Sequence, residues 1–305
     1  GLPIRRLRLT TRLTPCDLFS AMDKNKWFLY SVYTVALATF FVYYLFPTEQ
    51  LKTFVVMQVT RINPALRVTA ANAGLMLPPG VRLQRVQVDH DNAPLLFADD
   101  LVILPHLRTL LSDRKLYSFR MKTYEGDVTG TAEIDGNGQV TIDAVVAGLR
   151  LSSIPLLKRL SANHIEGILD GNFAYIAGGS KPEALNITLD INDMAVTLKA
   201  PLFTFDRVRF DKVHADAVLR NQRLEITRMA LTGDQIEGHL AGSASLNTDL
   251  MRSIVNLNGT VMPQKQFLEN SGFQVSGSIL AGLKAGGGIP VRISGPLGDL
   301  QLATR

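Results

Sequence analysis

From Val140 onward the chain alternates apolar and polar residues with a period of two, and no other feature restricts its fold so strongly. Val140, Ile142, Ala144 and Val146 form one run, and Leu185, Ile187, Leu189 and Ile191 another. Met194, Val196, Leu198 and Ala200 follow, then Val213, Ala215, Ala217 and Leu219. Shorter pairs continue the pattern: Leu224 and Ile226, Ile236 and Leu240, Ala244 and Leu246, and finally Ile289, Val291 and Ile293. Successive side chains of a strand point to opposite faces, so each run has one apolar and one polar face. Turn-forming residues separate the runs at Asp135-Gly136-Asn137-Gly138, Asn221-Gln222, Thr232-Gly233-Asp234 and Asn258-Gly259. Upstream, Val81-Arg82-Leu83 and Val86-Gln87-Val88 alternate out of phase, and a bulge at Gln84-Arg85 accounts for the break. The pattern predicts a long antiparallel meander of about ten or more strands.

Three short helical inserts interrupt the meander, at Pro105–Leu111, Ser152–Leu160 and Asp249–Val255. Each carries Leu, Ile or Val at helical spacing beside a good helix-starting residue. The expected class is therefore mainly β: a long antiparallel curved sheet, as a groove or a sandwich, with a few short helices. A sheet with one apolar face must cover it with a second sheet, close into a barrel, or curl into an open trough. A trough leaves an apolar lining for a lipid or an amphipathic partner. Val196, Leu198, Val213 and Leu219 are the candidate lining residues.

Ahead of the meander, Trp27 to Phe46 reads WFLYSVYTVALATFFVYYLF, with no charged residue. At 1.5 Å rise per residue a helix of this length spans about 30 Å, the thickness of a bilayer core. Aromatic residues sit at both ends, where they favour the headgroup belts. Trp27, Tyr30, Val35, Leu37, Phe40, Tyr43 and Phe46 are the candidate anchor residues, and Pro47 ends the helix. Basic residues precede the run, so the N-terminus is expected in the cytoplasm and everything after Pro47 across the membrane. No small-x-small cleavage site follows Phe46, which favours an uncleaved signal anchor over a cleaved signal peptide.

The expected organisation is a short basic cytoplasmic arm (1–26), a transmembrane signal anchor (27–46), an amphipathic helix (47–64) and a periplasmic β-rich domain (65–305). In the amphipathic segment Leu51, Phe54, Val55, Val59 and Ile62 share one helical face, suited to the β domain or the membrane surface. Residues 1–21 precede the first methionine, Met22, and read as an upstream extension or an early start. In that case Cys16, the single cysteine, lies outside the working protein.

Composition narrows the function. The chain has 305 residues, 46% apolar and 19% charged, too apolar for a disordered segment. One cysteine excludes an intrachain disulfide framework. The net charge of +5 is concentrated early: residues 47–305 hold 26 basic and 25 acidic groups, interspersed. A nucleic-acid partner requires clustered Lys and Arg, and none is expected here.

The sequence carries no complete catalytic or metal-binding signature. His90, His106, His164, His214 and His239 form no H-x-x-x-H pair, and no metal site is expected. No G-x-S-x-G elbow occurs. Gly233 to Gly238 has phosphate-loop glycine spacing, but His239 stands where Lys is required. Asp135 to Gln139 has calcium-loop character, but Val140 holds the sixth position where Gly belongs. Asp89, Asp91, Asp99 and Asp100 read as solvated loop charges. Asn186-Ile187-Thr188 and Asn258-Gly259-Thr260 are glycosylation sequons that matter only on a eukaryotic secretory route. No catalytic residue and no cofactor is expected.

Several segments together resemble a known family. They are the basic leader and signal anchor, Pro47-Thr48-Glu49-Gln50-Leu51-Lys52, the stretch Gly74–Val81, Val86-Gln87-Val88, Leu101–Pro105 and the C-terminal stretch Ile289–Leu302. In these the chain resembles the AsmA-like proteins of Gram-negative envelopes, and within them most closely the GspN family of type II secretion operons. The resemblance spans roughly residues 22–305 and carries apolar patterns punctuated by Gly and Pro, with no chemical signature. It implies an inner-membrane anchor, a periplasmic β-rich domain and a non-enzymatic role in protein export beside other secretion-system proteins. The alternative it implies is lipid binding or transport between membranes, with phospholipid as partner.

Overall fold

The computed structural model describes residues 27–35, 37, 66–76, 80–90, 93–109, 112–160, 164–179, 182–202, 205–247, 249–264 and 288–304. The chain divides into two units, Gly1–Pro47 and Thr48–Arg305.

In the first unit, residues 27–35 and 37 are helical. Their large apolar side chains are exposed, from Leu37 at 41% to Phe28 at 69%. Among the described residues no helix is long and apolar enough to cross a membrane. Phe40, Tyr43 and Phe46, in the second half of the expected anchor, lie outside the described residues, as does the segment 47–64.

The second unit is built from strands. They are β1 (Leu66–Met76), β2 (Gly80–His90), β3 (Ala93–Pro105), β4 (Lys115–Thr123), β5 (Gly126–Ile134), β6 (Val140–Arg150) and β7 (His164–Ala177). Then follow β8 (Ala184–Leu202), β9 (Phe205–Arg220), β10 (Arg223–Thr232), β11 (Ile236–Ser245), β12 (Ile254–Pro263), β13 (Ile289–Pro296) and β14 (Gln301–Thr304). All fourteen form one curved sheet whose strand order follows chain order. Among the described residues no strand belongs to a second hydrogen-bonded sheet, because every strand pairs with its chain neighbours.

The register explains the alternation. One row of directly opposed residues crosses the entire sheet: Leu75, Val81, Ile103, Phe119, Gly130, Ala144, Phe173, Ile187, Ala217, Ile226, Gly242, Leu257, Ile293 and Leu302. Every position in it is apolar or glycine. The adjacent row, on the other face, runs through Arg82, Val102, Arg120, Thr129, Val145, Asn172, Thr188, Asp216 and Arg228 and is mostly polar. Glycine fits in the apolar row where a partner side chain lies across it. A Cβ on Gly130 would stand 2.6 Å from Cζ of Phe119, so the ring covers the bare backbone.

The sheet keeps its apolar face through two changes of phase. On β2, Leu83 (1% exposed) and Val86 (4%) are both buried although three residues apart. Arg85 between them has a φ of 51°, which marks the break of phase expected at Gln84-Arg85. The pairing register with β1 and β3 is the same on both sides of it, so the break is a local reversal of the backbone and not the expected bulge. On β8, Asp193 has a φ of 52° between Ile191 and Met194, which joins two runs of opposite parity into one strand. Leu83 and Val86 belong to a buried cluster with Val68, Ala73 and Ala98. Val128, Val146 and Leu149 form a second cluster, and Ala244, Val255 and Leu257 a third.

The inserts are shorter than expected. They comprise 3-10 turns at Leu107–Thr109, Leu151–Ser153 and Leu250–Arg252 and a helix at Pro155–Leu160. Ile254 and Val255 already belong to β12, because they pair with Ser245 and Ala244. Two further expectations are corrected. Asn258-Gly259 is not a turn but lies in mid-β12, where Gly259 opposes Leu240 and Val291 and a Cβ would collide with the His239 carbonyl. Asp89, Asp99 and Asp100 are strand residues of β2 and β3, not loop charges, since both strands extend past the charged positions. Asp100 accepts the Arg82 guanidinium at 2.6 Å.

Candidate functional site

The apolar face is the candidate site, and it has a hollow at one end of β7–β11. There Tyr175, Leu185, Leu219 and Leu224 are opposed in turn across β7, β8, β9 and β10. Asn221 (φ 46°) and Gln222 (φ 62°) make the two-residue turn between β9 and β10, with the paired left-handed residues that match strand twist. The Leu246 N–H donates to the Gln222 carbonyl at 2.7 Å, which brings Leu246 beside this turn. Tyr175, Glu183, Leu185, Leu219, Asn221, Gln222 and Leu246 enclose a pocket of about 610 Å³. Small-molecule sites commonly hold about 300–1,000 Å³, so the pocket is of useful size.

Its rim is polar. The Tyr175 hydroxyl donates to Oε1 of Glu183 at 2.8 Å. Partial burial pushes the Tyr175 phenol above its usual range, and the bond to the Glu183 carboxylate adds to the effect. The site thus combines a leucine floor with one carboxylate and two amides at its lip.

Of the four lining residues expected from the sequence, Val196, Val213 and Leu219 share the apolar face but do not form one site. Leu219 lines the pocket. Val213 is buried opposite Ile191 and Leu231, six residues from Leu219 along β9, or about 20 Å at strand rise. Val196 opposes Val208 beyond the phase change at Asp193, and Leu198 follows on the same strand. Sequence reasoning passed over Tyr175, Glu183 and Leu185. The signal for Leu185 was its place in an alternating run; the pairing that sets it beside Leu219 is not visible in either run alone.

The opposite face carries an ionic network centred on Asp190. Lys212 Nζ lies 2.9 Å and His214 Nδ1 3.0 Å from Asp190 Oδ1, and His214 Nε2 lies 3.2 Å from Asp216 Oδ2. The Thr188 hydroxyl donates to Asp216 at 3.0 Å. Lys212 first, then His214, holds the Asp190 carboxyl below its usual range. A shallow depression of about 540 Å³ beside this network is lined by Thr129, Asp143, Asn172 and Asn186 among others. Among the described residues no group of His, Cys, Asp or Glu is arranged to hold a metal ion. His106 instead meets Ser118 at 2.7 Å and His164 meets Glu166 at 3.3 Å, far apart on the sheet.

No family model, curated protein or solved structure matches the chain.

Proposed function

We propose that the chain is a non-enzymatic envelope protein whose β domain holds acyl chains of phospholipids against its apolar face. The observation that carries this reading is the row of apolar and glycine residues that runs unbroken through all fourteen strands of a single sheet. Such a surface lowers its free energy by taking an apolar chain out of water, at about 25 cal/mol per Å² buried. The pocket of about 610 Å³ at Leu185, Leu219 and Leu246 gives it an end point. The apolar, uncharged run 27–46 supports a single-pass anchor in the inner membrane, with the N-terminus in the cytoplasm and residues 65–305 in the periplasm.

Native mass spectrometry and solvent extraction of the purified full chain test the lipid reading. Co-purified phospholipid is expected from the wild type and its loss from Leu219→Arg; absence of lipid from both refutes it. A reporter fused after residue 60 tests the topology, with periplasmic activity expected.

A second reading is a component of type II secretion, supported by the likeness to the GspN family. The described residues of the segments that carry much of this likeness, 74–76 and 80–81 and 289–302, fall in β1–β2 and β13–β14. β1 and β14 are the first and last strands of the sheet, the kind of strand with which a partner strand pairs. Neighbouring genes for a secretin, an ATPase and pseudopilins are expected on this reading, and a neighbourhood without them counts against it.

A further inference from the structure

We infer that the pocket between the β7, β8, β9, β10 and β11 ends selects the headgroup of the bound lipid, and that it takes a primary ammonium of the ethanolamine type. The inference rests on the lipid reading above and adds a chemical preference to it.

The charge balance of the pocket carries it. Glu183 is the sole ionised side chain lining it among the described residues. Oε1 of Glu183 is engaged by the Tyr175 hydroxyl at 2.8 Å, and among the described residues no hydrogen bond reaches Oε2. A carboxylate with one oxygen fixed by a neutral donor and the other open is set to receive an N–H donor of positive charge. The basic residues of the adjoining turn do not neutralise it. Arg220 and Arg223 oppose each other at positions of the polar face, and the Arg223 guanidinium donates to Ser243 on that side. Among the described residues no basic group lines the pocket, so an ammonium is attracted to the lip and an anionic headgroup is repelled by the carboxylate. The side-chain amides of Asn221 and Gln222, exposed at the turn, supply neutral donors for the phosphate that follows an ethanolamine. Leu185, Leu219 and Leu246 receive the first methylenes of the chains.

The test titrates the full chain, held in a non-ionic detergent, with short-chain (dihexanoyl) phosphatidylethanolamine and phosphatidylglycerol by calorimetry. The wild type is expected to favour the ethanolamine lipid roughly tenfold, the scale of one charge-assisted hydrogen bond. Glu183→Gln should abolish the preference, and Glu183→Lys should reverse it, with unchanged melting midpoints showing that both fold. Leu219→Gln, which removes apolar lining without adding charge, should weaken both lipids alike. If both lipids bind equally well to the wild type, or if Glu183→Lys leaves their ratio unchanged while Leu219→Gln removes binding, the headgroup inference is overturned and the lipid reading stands. If neither lipid binds the wild type, the lipid reading fails and this inference with it.

Discussion

Replacing Leu83 by alanine is a direct test of the two-faced sheet. Leu83 is 1% exposed, opposes Ala73 and Leu101, and belongs to the cluster of Val68, Ala73, Val86 and Ala98. Its neighbours are held by strand pairing on both sides, so they collapse little into the space a truncation leaves. Leucine-to-alanine changes at such sites cost about 2–5 kcal/mol, and about 3 kcal/mol is expected here. For a domain of this size that lowers the melting midpoint by roughly 6–12 °C. Arg82, the preceding residue, points to the other face and makes an exposed ion pair with Asp100 at 2.6 Å. Arg82→Ala should leave the midpoint close to wild type, since exposed pairs contribute little. Val86→Ala should destabilise as a core change despite its opposite parity, because Arg85 resets the phase. Circular dichroism melts of the three variants in one detergent give the comparison. Equal shifts for Leu83→Ala and Arg82→Ala, or a silent Val86→Ala, would refute the assignment of faces and the phase change together.

Other outcomes follow from single contacts. Asp190 has its folded pKa lowered by Lys212 and His214, so its contribution is present above the unfolded carboxylate range and is lost as pH falls through the folded value. Asp190→Asn should therefore melt below wild type at pH 7 and converge with it in acid; a constant gap across that range would contradict this. Tyr175 has its pKa raised, so its contribution is present below the unfolded value of about 10 and is lost as pH rises through the folded one. Glu183→Gln should move the Tyr175 ionisation, read by ultraviolet absorbance, toward the ordinary phenol. Gln222→Gly should raise stability by about 0.5–1 kcal/mol in urea titrations, because Gln222 has a φ of 62° that glycine adopts without strain. Deleting 27–46 should release the protein from alkali-washed membranes, whereas the intact chain should stay bound.

Much of this fold was legible because alternation is a local property. The runs at Val140–Val146, Leu185–Ile191 and Val213–Leu219 are all strands, and the changed phase around Arg85 showed in six residues. Asp135-Gly136-Asn137-Gly138 is a turn as expected, closed by the Gly138 N–H on the Asp135 carbonyl at 3.1 Å. Asn258-Gly259 carries an equally strong turn signal, yet strand pairing on both sides overrides it. The turn at Tyr124 and Glu125, with φ values of 48° and 66°, contains no turn-favouring residue and gave no signal. The pocket was hardest to see. Tyr175, Leu185, Leu219 and Leu246 are scattered along the chain, and only the register between strands gathers them.

Strand order that follows chain order has an evolutionary consequence. Each hairpin touches little beyond the one before and the one after it, as modules do in a solenoid. Duplicating a hairpin within such a chain lengthens the greasy strip without disturbing a single older pairing, and excising one shortens it. The reach of the surface is then set by how many hairpins a gene encodes, a quantity that selection can adjust in steps.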